Sequence, residues 1–215
     1  MHEPLTTVLN MVPSLLWFAF ALVVLIFYRK NLSEVFSRLG SFEALGVKFV
    51  TVQNSIDAAI DLAEKSPQWK VEIPPTEKRQ ALRRTRQRVG LFKGVQLLWV
   101  DDHPENNLNE RRMFHQLGVD IDSAKSTEEA LTMLAAAEYD VVFSDMARGD
   151  EAIAGLDLLR QMRQRGNKAP LIFYMGSFDP DKGIPPRAFG ATNRPDELLH
   201  LTLDALERRP AADNA

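Results

Sequence analysis

Two apolar runs in this chain each end in acid. Val95-Gln96-Leu97-Leu98-Trp99-Val100 leads into Asp101-Asp102, and Val141-Val142-Phe143-Ser144 leads into Asp145. Short aliphatic runs with turn signals on both sides predict buried strands of a parallel sheet, since a strand covered on both faces needs no polar alternation. Open parallel sheets place their ligand sites beyond the carboxyl ends of the strands. Asp101, Asp102 and Asp145 are therefore expected to meet at one sheet edge.

Mutual repulsion makes such a cluster unfavourable unless a cation neutralises it or one carboxyl holds a proton. A hard divalent cation is the simplest occupant. The chain has no cysteine and no histidine at helical metal spacing, so an oxygen-only ligand set favours Mg²⁺ over Zn²⁺ and suits phosphoryl chemistry. The absence of cysteine also excludes disulfides and fits a reducing compartment.

The 215 residues leave room for one ordinary domain and an accessory segment. From Met11 to Tyr28 the chain carries no charge, and at about 1.5 Å per helical residue this run spans roughly 27 Å, close to a bilayer core. A transmembrane helix over residues 8–29 is the expectation. Arg29, Lys30 and Arg38 follow the run, whereas Glu3 precedes it, so the positive-inside rule predicts a single-pass inner-membrane protein with its carboxy-terminal bulk in the cytoplasm. A cleaved signal peptide would need a basic leader and a small-residue cleavage site instead.

Residues 30–75 form the expected juxtamembrane segment, α-rich in pattern. Ile56, Ala59, Ile60 and Ala63 lie on one stripe of a predicted helix, and Pro67, Pro74 and Pro75 mark a linker. Residues 76–93 read as a basic linker helix carrying Lys78, Arg79, Arg83, Arg84, Arg86, Arg88 and Lys93. Three uses compete for that charge: a solvated helix face, attraction to anionic lipid through residues 78–93, and nucleic-acid binding. The last is the least expected, because no aromatic residue is interleaved with the arginines before Phe92.

From Val95 onward strands and helices alternate. Strands are predicted at 95–101, 119–124, 140–145 and 170–175, and helices at 105–117, 126–137, 154–165 and 195–208, with Ser126 as an N-cap and Glu129 at the third helical position. This order predicts a doubly wound α/β sheet with right-handed crossovers. Trp99 and Tyr174 fall inside strands and are assigned to core packing. His103, beside Pro104, is assigned to a polar loop.

These residues resemble the receiver domain of bacterial two-component response regulators, a CheY-like, flavodoxin-like fold with a five-stranded parallel sheet, over residues 94–209. The resemblance rests on Val100-Asp101-Asp102, on Asp145 in Val-Val-Phe-Ser-Asp-Met, on Gly155-Leu156-Asp157-Leu158-Leu159, on Pro170-Leu171-Ile172-Phe173, and on Gly190-Ala191 followed by Arg194-Pro195-Asp196-Glu197-Leu198. It implies that Asp145 is the phospho-acceptor and that Asp101, Asp102, Asp145 and the Ala147 backbone carbonyl hold Mg²⁺. It also implies a histidine kinase or other phosphodonor as partner. No DNA-binding module follows Arg209, so output is expected through protein contact with a downstream partner.

The chain departs from the family pattern where receivers report phosphorylation. Met175 stands where the family has Thr or Ser, and methionine cannot donate the corresponding hydrogen bond. Ser177 is the candidate substitute. Arg194 replaces the family's lysine, keeping a phosphate-binding charge with different reach. Gly183, Pro185 and Pro186 interrupt the region of the fourth helix, where proline costs about 3 kcal/mol in a helix interior. The expected role is thus a phosphotransfer acceptor rather than a turnover enzyme. A phosphorylation-independent pseudo-receiver scaffold is the alternative, and a hydrolase or nucleotide-cleaving enzyme a further one.

Overall fold

The computed structural model describes residues 50, 53–65, 72–178, 181 and 183–209. These lie within one compact unit, Lys48–Ala215. The apolar run at 11–28, the first part of the juxtamembrane segment and most of the linker at 66–71 are outside the described residues. Among the described residues no helix is long and apolar enough to cross a membrane.

Helix α1 covers residues 53–65 and α2 covers Pro75–Arg88, running into a 3₁₀ turn at Val89–Phe92. Then come β1 (Gln96–Val100), a 3₁₀ turn (Pro104–Asn107), α3 (Leu108–Leu117), β2 (Asp120–Ala124), α4 (Thr127–Ala136), β3 (Val141–Ser144), α5 (Ala154–Gln164), β4 (Leu171–Tyr174), β5 (Gly190–Thr192) and α6 (Pro195–Glu207). The five strands pair in parallel in the order β2-β1-β3-β4-β5. The doubly wound sheet predicted from the alternation is therefore present, each element lying within a few residues of its expected bounds.

Local chemistry sets the ends of these elements. The Ser126 hydroxyl accepts from the Glu129 N–H at 3.1 Å while the Glu129 carboxylate accepts from the Lys125 N–H at 2.7 Å, so two donors at the start of α4 are satisfied. Helix α3 stops at Gly118, whose φ of 91° is a left-handed cap that a Cβ would disfavour. Between β4 and β5 the described residues contain no α-helix. Proline there lacks the N–H that an interior helical turn requires.

Alternation along the strands divides the core into two layers. Leu97, Trp99, Val141, Phe143, Ile172 and Tyr174 face one side, where they meet Met113 and Phe114 of α3 and Leu199 and Leu203 of α6. Leu98, Val100, Val142, Leu171 and Phe173 face the other, against Ala130 and Leu131 of α4 and Leu158 and Met162 of α5. The first layer is aromatic at its centre. Trp99 meets Phe143 edge-on at 5.0 Å between ring centroids, and Phe114 meets Phe143 at 5.3 Å, geometry in which ring edges face neighbouring π clouds. Glu110 is buried in the same layer and accepts from the Tyr174 hydroxyl at 2.8 Å; burial pushes its carboxyl above the usual range.

That layer continues past residue 94. Ile56 and Ile60 of α1, together with Ile73 and Phe92, belong to the same packed cluster, and Leu82 and Val89 lie against it. Basic charge is sorted accordingly. Lys78 pairs with Asp57, Arg84 with Asp204 and Glu207 of α6, and Arg88 with Glu207, while Arg79 and Arg83 are exposed. The segment read from sequence as a linker helix packs against α6, with Ala81 and Thr85 as its small buried stripe. Replacing Phe143, central to the aromatic layer and fully buried, with alanine is expected to lower stability by about 3–5 kcal/mol, measured by urea unfolding.

Candidate phosphoryl and metal site

The order β2-β1-β3 makes the chain reverse its direction of winding between β1 and β3, which opens a crevice at their carboxyl ends. The register aligns Val100 with Ser144, so the residues that follow, Asp101 and Asp145, leave the sheet side by side. Oxygen atoms of Asp101, Asp102 and Asp145 all lie within 4.8 Å of one another. Asp101 is buried and the other two are half-buried. The three carboxylates expected at one edge are thus brought together.

Each is held by a specific donor. Asp101 accepts from the His103 N–H at 2.7 Å and from the Asn107 side-chain amide. Asp102 accepts from the Gly149 N–H at 2.8 Å, and Asp145 from the Met146 N–H at 2.6 Å. Burial, reinforced by the charges of Asp101 and Asp102, pushes the Asp145 carboxyl up from 3.8 to about 6, against the opposing pull of the Met146 N–H and Arg148. The unneutralised cluster therefore relieves part of its repulsion by protonation. The three acids offer only oxygen ligands, as a hard divalent cation prefers, and the cluster's proton affinity marks the charge that such a cation would offset.

Arg148 was not visible as a site residue in the sequence. It is 7% exposed. Its Nη1 donates to the Ser144 hydroxyl at 2.8 Å and to the Asp145 carbonyl at 3.0 Å, and its Nη2 donates to the Thr127 hydroxyl at 2.9 Å. Its place three residues after Asp145 was the available signal. Asn107, buried against Asp101, was missed likewise. A cavity of about 300 Å³ opens beside them, lined by Asp102, Lys125, Thr127, Arg148, Gly149 and Asp157 among others.

The remaining expected site residues lie as follows. Ala147 is exposed in the loop two residues after Asp145, and Ser177 is exposed after β4. Met175 packs its side chain against the Leu98 and Phe173 layer. Arg194, expected to contact phosphate, instead donates to Asp196 through Nε at 3.2 Å and Nη2 at 2.6 Å, and Nη2 also meets Glu77 of α2. Buried Asp196, 1% exposed, requires a counter-charge, and Arg194 is adjacent to supply it. His103 is exposed, and its imidazole is raised above its ordinary range chiefly by the Glu105 carboxylate at 3.0 Å. Trp99 and Tyr174 are buried, as assigned.

Residues 97–189 match the family model of the response regulator receiver domain. Over those residues the chain is similar to a receiver domain. The match ends one residue before β5, so Arg194 lies beyond it. Two curated relatives, the sensor proteins EvgS of Escherichia coli O157:H7 and of strain K12, are each 29% identical over 85 residues, which is 40% of this chain and 7% of theirs. The chain thus spans a small fraction of the relatives it matches. The response regulator TrrA of Thermotoga maritima, solved in complex with Mg²⁺-BeF, has 23% identity and a TM-score of 0.46, over 52% of this chain and 98% of that one. CheY4 of Vibrio cholerae has 21% identity and a TM-score of 0.44, over 53% and 99%.

Gly155, at the start of α5, sits against the Asp145 loop. A Cβ there would collide with the Asp145 carbonyl oxygen and stand 2.7 Å from Phe173 Cε1 and 3.1 Å from Met146 Cα. Gly155→Ala is expected to cost about 1–3 kcal/mol, read by urea unfolding. Between pH of about 4 and 6 the folded receiver holds an Asp145 proton that the unfolded chain releases, so this carboxyl makes stability fall as pH rises through that window. Asp145→Asn should therefore raise the Tm of the metal-free chain at pH 7.5 and leave it unchanged near pH 4; a lower Tm at pH 7.5 would contradict this reading.

Proposed function

We propose that the chain is a membrane-anchored signalling receiver whose Asp145 accepts a phosphoryl group from a histidine kinase or small phosphodonor. The observation that carries this reading is the convergence of Asp101, Asp102 and Asp145 within 4.8 Å at the β1/β3 crevice. Asp101, Asp102, Asp145 and the Ala147 carbonyl would hold Mg²⁺, which when bound offsets charge on the phosphoryl oxygens.

A carboxylate oxygen of Asp145 attacks the phosphorus as the bond from phosphorus to the donor breaks, the donor imidazole leaving with the electron pair. With its carboxyl titrating at about 6, Asp145 is mostly ionised, hence nucleophilic, at neutral pH. The Met146 N–H holds one Asp145 oxygen in place, and Asn107 and Gly149 orient the two neighbouring acids. Output would pass by protein contact.

Support for the membrane anchor is the uncharged run from Met11 to Tyr28 and the cations after it. On this reading the receiver lies on the cytoplasmic side, with exposed Arg79 and Arg83 available to anionic lipid. A second reading, a phosphorylation-independent pseudo-receiver scaffold, draws on Met175 packed against the core and Arg194 engaged by Asp196 and Glu77. Incubating the full-length chain with radiolabelled acetyl phosphate separates the two. Mg²⁺-dependent labelling that disappears in Asp145→Asn is expected; no labelling above that variant would leave the scaffold.

A further inference from the structure

We propose that Arg148 is a resident cation of the acid site, a positioning residue that offsets Asp101, Asp102 and Asp145 and thereby tunes the site toward an anionic group on Asp145 at the expense of metal affinity. This rests on the phosphoryl reading above.

Burying a guanidinium is costly unless negative charge lies close. The partners to which Arg148 donates hydrogen bonds, the Ser144 and Thr127 hydroxyls and the Asp145 carbonyl, are all neutral. Hydrogen bonding alone therefore leaves the charge unmatched. Burial dominates and holds the guanidinium below its usual range, and the charges of Asp145, Asp102, Glu151 and Asp101 offset part of that cost through space. Its Nε has no hydrogen-bond partner among the described residues, so the group is not saturated by its present contacts.

Arg194, by contrast, is engaged elsewhere. It meets Asp196 and Glu77, both acids, and the cation that bears on Asp145 is Arg148. The guanidinium also joins three pieces of structure: Ser144 at the end of β3, the loop that follows Asp145, and the first turn of α4. A change of charge on Asp145 is thus felt by a group anchored in α4.

A fixed positive charge beside three carboxylates opposes a dication and favours an anion, so removing it should move the two affinities in opposite directions. A merely structural arginine would move both together. The test is calorimetric titration of the full-length chain with Mg²⁺, and with beryllofluoride at saturating Mg²⁺, for wild type, Arg148→Gln and Arg148→Lys. Arg148→Gln is expected to bind Mg²⁺ about threefold more tightly and beryllofluoride about tenfold more weakly. Arg148→Lys, which keeps the charge, should stay within about threefold of wild type for both.

If both affinities fall together in Arg148→Gln, or neither moves, the proposal is overturned while the phosphoryl reading stands. If wild type itself binds neither Mg²⁺ nor beryllofluoride, both fall. Should Arg148→Gln not fold, Arg148→Lys decides: retained affinities uphold a charge role, and joint loss overturns it.

Discussion

The parallel pairing of Leu97–Val100 with Val141–Ser144 is the constraint on which the remainder depends. It sets two strands that are distant in sequence at the centre of the sheet and ends them at the same level, so Asp101 and Asp145 emerge together. The aromatic layer beneath, with Trp99 and Phe143 in direct contact, locks that register. A slip of one residue would turn every inward side chain to the opposite layer. The hydrophobic pattern thus holds the acids at close range, and the stability of the core sustains a local electrostatic cost.

That cost is met in three ways. Backbone donors and the Asn107 amide engage the carboxylate oxygens, Asp145 retains a proton up to about pH 6, and Arg148 supplies a buried positive charge. Elsewhere the same problem recurs with a different answer. Buried Asp196 takes Arg194, which also reaches Glu77 of α2, so one ion-pair group joins the β5–α6 turn to the helix that precedes the sheet. Helix α2 is further tied to α6 through Arg84 and Arg88.

Much of this was legible beforehand. The four-residue and five-residue apolar strands were readable because a strand buried on both faces has to be apolar throughout, and the acids that follow them stand out against that background. Ser126 was readable as a cap because its hydroxyl acts locally. Less visible were the features that depend on distant partners. Arg148 and Arg194 are both cations near acids in sequence, and the three-residue spacing of Arg148 from Asp145 is a signal that only burial turns into a contact. Arg84 and Arg88 likewise read as part of an undivided basic run until α6 lies against them. The predicted anchor falls outside the described residues.

By itself the sequence determined the order of strands and helices, the two-sided burial of the sheet and the identity of the acids at its edge. These follow from periodicity and residue type, which act over a few neighbouring positions. Tertiary structure alone decided which cation serves which acid, that Met175 lies against the core, and that α2 packs as a side of the domain. Those outcomes turn on where side chains are buried, and the cost of burying a charge depends on neighbours that only the folded chain brings near.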